Sequence, residues 1–345
     1  MRKLTILSVA FPFAVVTADP VGGAEQVLAR IDCSLVDAGH RSVMLATEGS
    51  QPAGHLIKIP KISGPIGQPE WNRAHEFIRA TITRAVERER VDLVHLHGVD
   101  FLSYLPQANV PVLATLHLPL SYYPRELQRP DRSRTWLNTV SASQHRSVSS
   151  HPHLAAVIEN GVPIPDQSAP CKEAFALAMG RICPEKGFHL ALDAAKAANI
   201  PLKLAGSFDA FPEHLDYFDR EIIPRLDSQR QCIGPISGRL KWQLLTSARC
   251  VLVPSLVAET ASLVAREALA AGTPVIAFPN GALCETIESG RTGFLVDNVE
   301  EMIQAISRTH EIDPSACRRA AEQKYSASRM TRQYLELYHR LVECG

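Results

Sequence analysis

The stretch "AETASLVAREALAAGTPVIA", residues 258–277, sets two glutamates, Glu259 and Glu267, on either side of the point where an Ala-rich helical pattern begins. If the helix starts at Ala261 or Ser262, the backbone N–H groups of Ser262, Leu263 and Val264 lack partners inside it. Those amides and the helix dipole favour an anion, and a phosphate fits that place. Glu267 then falls about one and a half turns into the helix. It is expected on a side that still reaches the rim, where its carboxylate can accept hydrogen bonds from a ribose. Glu259 stands before the helix, placed to hold sugar hydroxyls or to offset positive charge developing in a reaction. Taken alone, the pair reads more simply as surface acids favoured at a helix N-terminus by the dipole.

Around this stretch the chain alternates short aliphatic runs with helical patterns. "LTILSVAF" is followed by a helix from about Ala24 to Ala38 and by "RSVMLAT"; "VDLVHLHG" and "PVLATLH" follow further on. Such alternation predicts a parallel sheet with helices on both faces. Three prolines and a glycine break the rhythm in "IENGVPIPDQSAPCK", residues 158–172, which reads as a linker. Beyond it the alternation restarts: "AFALAMGRI", a helix through "FHLALDAAKAAN", "PLKLAGS", a helical "LKWQLLTSA" and "CVLVPS". The expectation is α/β architecture with two Rossmann-like doubly wound parallel-sheet domains, residues 1–163 and 164–327. The tail "SRMTRQYLELYHRLV" within 328–345 carries apolar residues at helical spacing and should form a last helix packing back on the N-terminal domain.

Composition removes several classes of function. Of 345 residues, 36 are Lys or Arg and 36 are Asp or Glu, so the balance offers no chain-wide grip on nucleic acid or acidic lipid. The eight cysteines show no C-x-x-C pair or other metal-ligand spacing and read as reduced thiols of a cytoplasmic protein. Pro12 interrupts the basic, apolar start, which is better read as a buried first strand than as a signal peptide. No run approaches the roughly 18 apolar residues that mark a membrane span. A peripheral contact at the inner face of a membrane stays open.

Other groups gather where ligands bind in open α/β sheets, at the carboxyl ends of strands. "GRICPEKG", residues 180–187, offers Arg181 and Lys186 there, a fork and a point charge able to clamp a diphosphate. A solvated basic loop is the plainer reading of those two alone. "DPVGGAEQVL" puts Gly22 and Gly23 just before a helix, where backbone can approach a ligand closely or simply turn. It is not the G-x-G-x-x-G fingerprint, which disfavours a dinucleotide. His95 and His97 share one face of a strand, and His117 ends the next run. Three histidines raise zinc, but no acid or cysteine joins them at a matching spacing. His95 reads as a core histidine and His117 as the functional candidate.

With these residues assembled, the chain resembles the retaining glycosyltransferases of family four, of the GT-B architecture. The resemblance runs in order through "GGAEQVL", "DAGHRSVMLAT", "DLVHLHG", "PVLATLH", "VIENGVPI", "GRICPEKG", "LAGS", "ETASLVAREALAAGTPVIA" and "GALCETIESGRTGFLV". It implies two domains facing a cleft, the first toward the acceptor and the second holding a nucleoside-diphosphate sugar. By the same resemblance Glu259 faces the donor sugar and the reacting centre, while Glu267 binds the ribose. Arg181 and Lys186 bind the diphosphate and stabilise it as it leaves. Gly22 and Gly23 border the donor phosphates, His117 lies near the transferred sugar, and the amides of Ser262, Leu263 and Val264 cradle the phosphate. Glu285 falls at a common acidic position and is given no role beyond structural support.

Two departures stand out. The family's Pro-Phe-Gly after the first acid is Thr260-Ala261-Ser262, which puts the donor sugar in doubt, and Glu159 replaces the usual Pro of the "NG" segment. Arg125, Arg129, Arg132 and Arg134 cluster after "LPLSYYP", as a headgroup or anionic-acceptor surface or, more plainly, a solvated loop. The resemblance implies hexosyl transfer with retention, from a UDP-sugar as the family's commonest donor, without a metal, to an acceptor the sequence does not name. A GDP-mannose-dependent mannosyltransferase and a non-catalytic nucleotide-sugar-binding subunit are the alternatives. A phosphorylase or an epimerase on the same architecture is a further rival, the former needing a pyridoxal-binding lysine in a much longer chain.

Overall fold

Both halves of the chain build a sheet whose strand pairs are all parallel, and both sheets run in the same order. The computed structural model describes all residues except 1, 19, 21, 63, 65, 125–131, 149–150, 167–171, 208–210 and 344–345. The chain divides into one unit of residues 1–159 with 330–345 and a second of residues 160–329.

In the first unit the strands are β1 (Thr5–Val9), β2 (Arg41–Thr47), β3 (His55–Ile59), β4 (Leu93–Leu96), β5 (Val112–Leu116), β6 (Thr135–Thr139) and β7 (Leu154–Val157). They are ordered β3-β2-β1-β4-β5-β6-β7. The central strands β4 and β5 are buried at every position, as expected where helices cover both faces of a parallel sheet. The helix Gly23–Asp37 buries Val27, Ile31 and Leu35 on one stripe. The last helix, Ala327–Glu343, aligns Met330, Tyr334, Leu337, Tyr338 and Leu341 on its buried face. These meet Leu4, Ile6, Ile31, Leu93, Leu113 and Ile158 in one apolar cluster of the first unit.

The second unit contains β8 (Ala176–Met179), β9 (Leu202–Ala205), β10 (Arg230–Gly234), β11 (Cys250–Val253), β12 (Val275–Ala277) and β13 (Gly293–Leu295). Their order is β10-β9-β8-β11-β12-β13. In each sheet the order reverses next to the unit's first strand, between β1 and β4 and between β8 and β11. Ligands of open α/β sheets bind at such switch points, beyond the carboxyl ends of the strands.

The segment expected as a linker is anchored in its first part. Val162 pairs with Ser326 in an isolated parallel bridge, and its amide donates to the Tyr325 carbonyl at 2.7 Å. Residues 167–171, the later part of that segment, lie outside the described residues.

Candidate active site

The loops after β8 and β11 carry most of the second unit's polar chemistry. After β8 the chain passes Gly180, exposed Arg181 and Cys183 into a short 3-10 turn, Pro184–Lys186, capped by Gly187. Gly187 adopts φ 64°, and a Cβ there would stand 2.3 Å from the Pro254 carbonyl, so only glycine lets this turn lie against the loop after β11. The Leu256 amide ties the two loops together by donating to the Glu185 carbonyl at 2.8 Å.

This docking brings Lys186 Nζ to 2.6 Å from Glu259 Oε1, joining two motifs distant in sequence. Their side chains are 30% and 10% exposed, so the pair is open on the lysine side. Glu259 is held from behind by its backbone: its carbonyl accepts from the Ala282 amide at 2.8 Å, and it bridges to Gly281. Gly281, at φ 61°, permits that approach, since a Cβ would meet the Glu259 carbonyl at 2.4 Å.

The helix that follows spans Leu263–Ala270, one or two residues later than the start expected from sequence at Ala261 or Ser262. Ser262 is its N-cap and takes φ 39°, ψ 72°, a left-handed conformation rare for a residue with a side chain. Ser262 stands where the family pattern has glycine, and the backbone geometry that glycine adopts freely is present here at a serine. The amides of Leu263 and Val264 lie in the helix's first turn, where intrahelical acceptors are lacking.

Glu267 departs from its expected place on the rim. It is 2% exposed, and Oε1 accepts from Lys241 Nζ at 2.9 Å. Lys241, 4% exposed, comes from the helix Gly238–Ser247. Spacing within "LKWQLLTSA" gave no reason to single it out; its one signal is a lysine beside Trp242 on a helix otherwise built to bury apolar residues. Burial of two opposite charges demands this geometry, because an unpaired ion in such a place is strongly disfavoured. One residue before Glu267, Arg266 is fully buried, donates to the Asn160 carbonyl at 2.6 Å and lies 4.4 Å over the Tyr325 ring. Tyr325 in turn donates to the Glu285 carbonyl at 3.0 Å, so Glu285 takes part in this framework through its backbone.

In the first unit the corresponding edge is neutral. His95, fully buried in β4, shares hydrogen bonds with Tyr338 and Thr115, each at 2.7 Å. His97 lies 3.0 Å from His117, which follows β5, and 3.2 Å from His95. Burial lowers all three imidazoles, His95 and His97 well below the usual histidine range and His117 to about 4. All three are therefore uncharged near neutrality. Gly22 is the N-cap of the helix Gly23–Asp37, and a Cβ on it would collide with the Glu25 carboxylate.

The arginine cluster is largely structural where it is described. Arg132 donates to the carbonyls of Pro106, Ala108, Val110 and Arg134, and Arg134 to that of Asn109. Both guanidiniums thus brace the approach to β5 and β6 against backbone. Arg125 and Arg129 lie outside the described residues. Among the described residues, no helix is long and apolar enough to cross a membrane.

Comparison with known proteins agrees with this geometry. The family model "Glycosyltransferase Family 4" matches residues 21–164, and "Glycosyl transferases group 1" matches residues 164–327. A phosphatidyl-myo-inositol mannosyltransferase of Mycolicibacterium smegmatis is 26% identical, over 95% of this chain and 92% of its own. AviGT4, a glycosyltransferase involved in avilamycin A biosynthesis, superposes with a TM-score of 0.72 at 25% identity, over 99% of each chain. Anabaena HepE in complex with UDP-glucose shares the fold, with a TM-score of 0.73 at 19% identity, over 96% of this chain and 98% of its own. The motifs found in the sequence, the two like-ordered parallel sheets and these matches converge: the chain belongs to the group 1, family 4 glycosyltransferases, a retaining family of GT-B fold that takes sugar from nucleotide sugars.

Proposed function

We propose that the protein is a metal-independent hexosyltransferase whose donor is a UDP-sugar bound by the C-terminal domain, residues 164–327, with the N-terminal domain, residues 1–163, serving the acceptor and the final segment 328–345 packing back on it. The observation that carries this reading is the Lys186–Glu259 contact of 2.6 Å at the β8–β11 switch point, beside the first turn of the helix Leu263–Ala270.

In this reading Lys186 and Arg181 meet the donor diphosphate, and the amides of Ser262, Leu263 and Val264 donate hydrogen bonds to its oxygens. Glu259 orients Lys186 and faces the sugar. The anomeric carbon–oxygen bond breaks toward the diphosphate, and the acceptor oxygen attacks the same face. The acceptor proton passes to the departing diphosphate. Charge stabilisation and positioning supply the acceleration, and no protein nucleophile is needed. Glu267, held by Lys241 at 2.9 Å, is the ribose ligand, its carboxylate keeping the lysine while its remaining acceptor sites serve the ribose hydroxyls. Gly22 and Gly23 border the phosphates and neutral His117 contacts the transferred sugar. UDP is assigned because it is the commonest donor nucleotide of the family the chain resembles.

A GDP-mannose donor is the second reading. It is favoured by the name of the Mycolicibacterium relative, a mannosyltransferase matched over 95% of this chain. Incubation with UDP-, GDP-, ADP- and dTDP-sugars, with and without added Mg²⁺, separates the two by nucleoside diphosphate release and thermal stabilisation. The expected result is stabilisation and slow hydrolysis by a UDP-sugar, insensitive to Mg²⁺. Lys186→Ala should lower kcat by about 10²- to 10³-fold, the usual cost of deleting one preorganised charge-stabilising group. Equal turnover by Lys186→Ala would remove the residue from the reaction, and preference for GDP-mannose would select the second reading.

A further inference from the structure

Sequence spacing shows no metal-ligand pattern among the cysteines, yet folding brings three different donor groups together beside the β8 loop. Cys183, Glu185 and His214 each present one ligand atom, a sulfur, a carboxylate oxygen and an imidazole nitrogen, all within 4.8 Å of one another. Cys183 and Glu185 flank Pro184 at the start of the Pro184–Lys186 turn. His214 comes from the short helix Pro212–Tyr217, fixed here by Tyr217, whose hydroxyl accepts from the His189 amide at 3.2 Å. Cys183 and His214 are 2% and 6% exposed, whereas Glu185 is only partly covered.

Two atoms in this group lack the partners that burial demands. Glu185 Oε2 and His214 Nδ1 are both buried and neither has a hydrogen-bond partner. Buried polar atoms are almost always satisfied, and an orphaned imidazole nitrogen beside an orphaned carboxylate oxygen points to an electrophile that both can hold. The one Cys183 S–H, placed between the Arg181 carbonyl at 3.6 Å and the Glu185 carboxylate, can satisfy only one of them and leaves His214 Nδ1 unmet.

We propose that Cys183, Glu185 and His214 bind a thiophilic divalent cation, zinc. Thiolate, imidazole and carboxylate together are a zinc donor set, and magnesium or calcium would not choose the sulfur. Tetrahedral zinc, with bonds of about 2.0–2.3 Å, sets its ligand atoms roughly 3.3–3.8 Å apart. Closing the triangle therefore takes side-chain movement of about an ångström. On binding, a sulfur–zinc bond replaces the S–H bond of Cys183 and one proton leaves to solvent, with water as the fourth ligand. The cation would clamp the turn that carries Lys186 to the short helix, and through the Glu185 carbonyl, bonded to the Leu256 amide, to the loop after β11. This assignment stands apart from the donor chemistry proposed above, and its readout does not depend on turnover.

The test uses the full-length protein, stripped of metal by a chelator and titrated with Zn²⁺ or Co²⁺ alone. One equivalent of Co²⁺ should produce a thiolate-to-cobalt charge-transfer band and tetrahedral visible absorption, and Zn²⁺ should displace it and raise the melting temperature. Cys183→Ser should abolish the band. His214→Ala should weaken binding at least by the roughly 10- to 100-fold that loss of an outer hydrogen-bond partner costs a metal site. Replacing the exposed Cys33 and Cys284 by serine should leave the spectrum unchanged. Absence of any charge-transfer band in the unaltered protein, or a band that persists in Cys183→Ser, overturns the proposal. The first of these requires no variant to fold.

Discussion

The carboxyl edges of the two sheets share one topology and differ in charge. At the first, His95, His97 and His117 form a chain of neutral rings joined to one another and to Thr115 and Tyr338. At the second, Lys186 pairs with Glu259 and Lys241 with Glu267. Strand order is therefore shared, and the residues at each edge set the chemistry it can offer a ligand. Ionised pairs and a helix N-terminus suit an anion such as a diphosphate, whereas the imidazoles of His95 and His97 are buried and bonded within the fold.

The largest way to break this contrast is at the buried pair. Lys241→Met leaves Glu267 without its cation in a site where both side chains are at most 5% exposed. A loss of about 3–5 kcal/mol is expected, read by denaturant unfolding. Combining it with Glu267→Met should recover most of that stability while donor binding stays lost. Recovery of binding as well would show that the pair serves structure alone.

Acid probes the neutral edge. His117 falls from its usual 6.5 to about 4 in the folded chain, and His95 and His97 are also lowered by burial. Between those values the unfolded chain binds protons that the folded chain refuses, so stability should drop as pH falls from about 6.5 toward 4, and the His117 part of that loss should level off below about 4. Melting temperatures of the parent and of His117→Gln across that range measure it, and the variant's profile should be flatter. An unchanged slope would place the acid sensitivity elsewhere.

The smallest effect sharpens the charged edge. Ser262 holds φ 39° at the cap of Leu263–Ala270. Ser262→Gly should relieve that strain and raise stability by about 0.5–1 kcal/mol, seen as a higher melting temperature. Loss of stability would mean the serine side chain contributes more than its backbone costs.

Much of this was legible in the sequence where elements follow local rules. "LTILSVAF", "RSVMLAT", "PLKLAGS" and "CVLVPS" became β1, β2, β9 and β11 because runs of buried aliphatic residues need no distant partner to be recognised. β6 escaped because "TWLNT" looks like polar loop. Its Asn138 is nevertheless fully buried, satisfied by Thr115 at 2.6 Å and by Tyr334 at 3.1 Å from the far end of the chain. β12 and β13, three residues each, are too short for any periodicity. The same limit explains the site. Glu259 and Lys186 sit in motifs that advertise themselves, but the burial of Glu267 depends on Lys241, and no spacing rule connects them. Cys183 and His214 likewise meet only through the packing of a short helix.

Hydrogen–deuterium exchange with and without UDP tests the central claim, that the second unit's charged edge holds the donor diphosphate. Bound UDP should slow exchange at residues 180–187 and 259–267, with the effect reduced in Lys186→Ala. Protection confined to the loops after β4 and β5, with residues 180–187 and 259–267 unchanged, would contradict it.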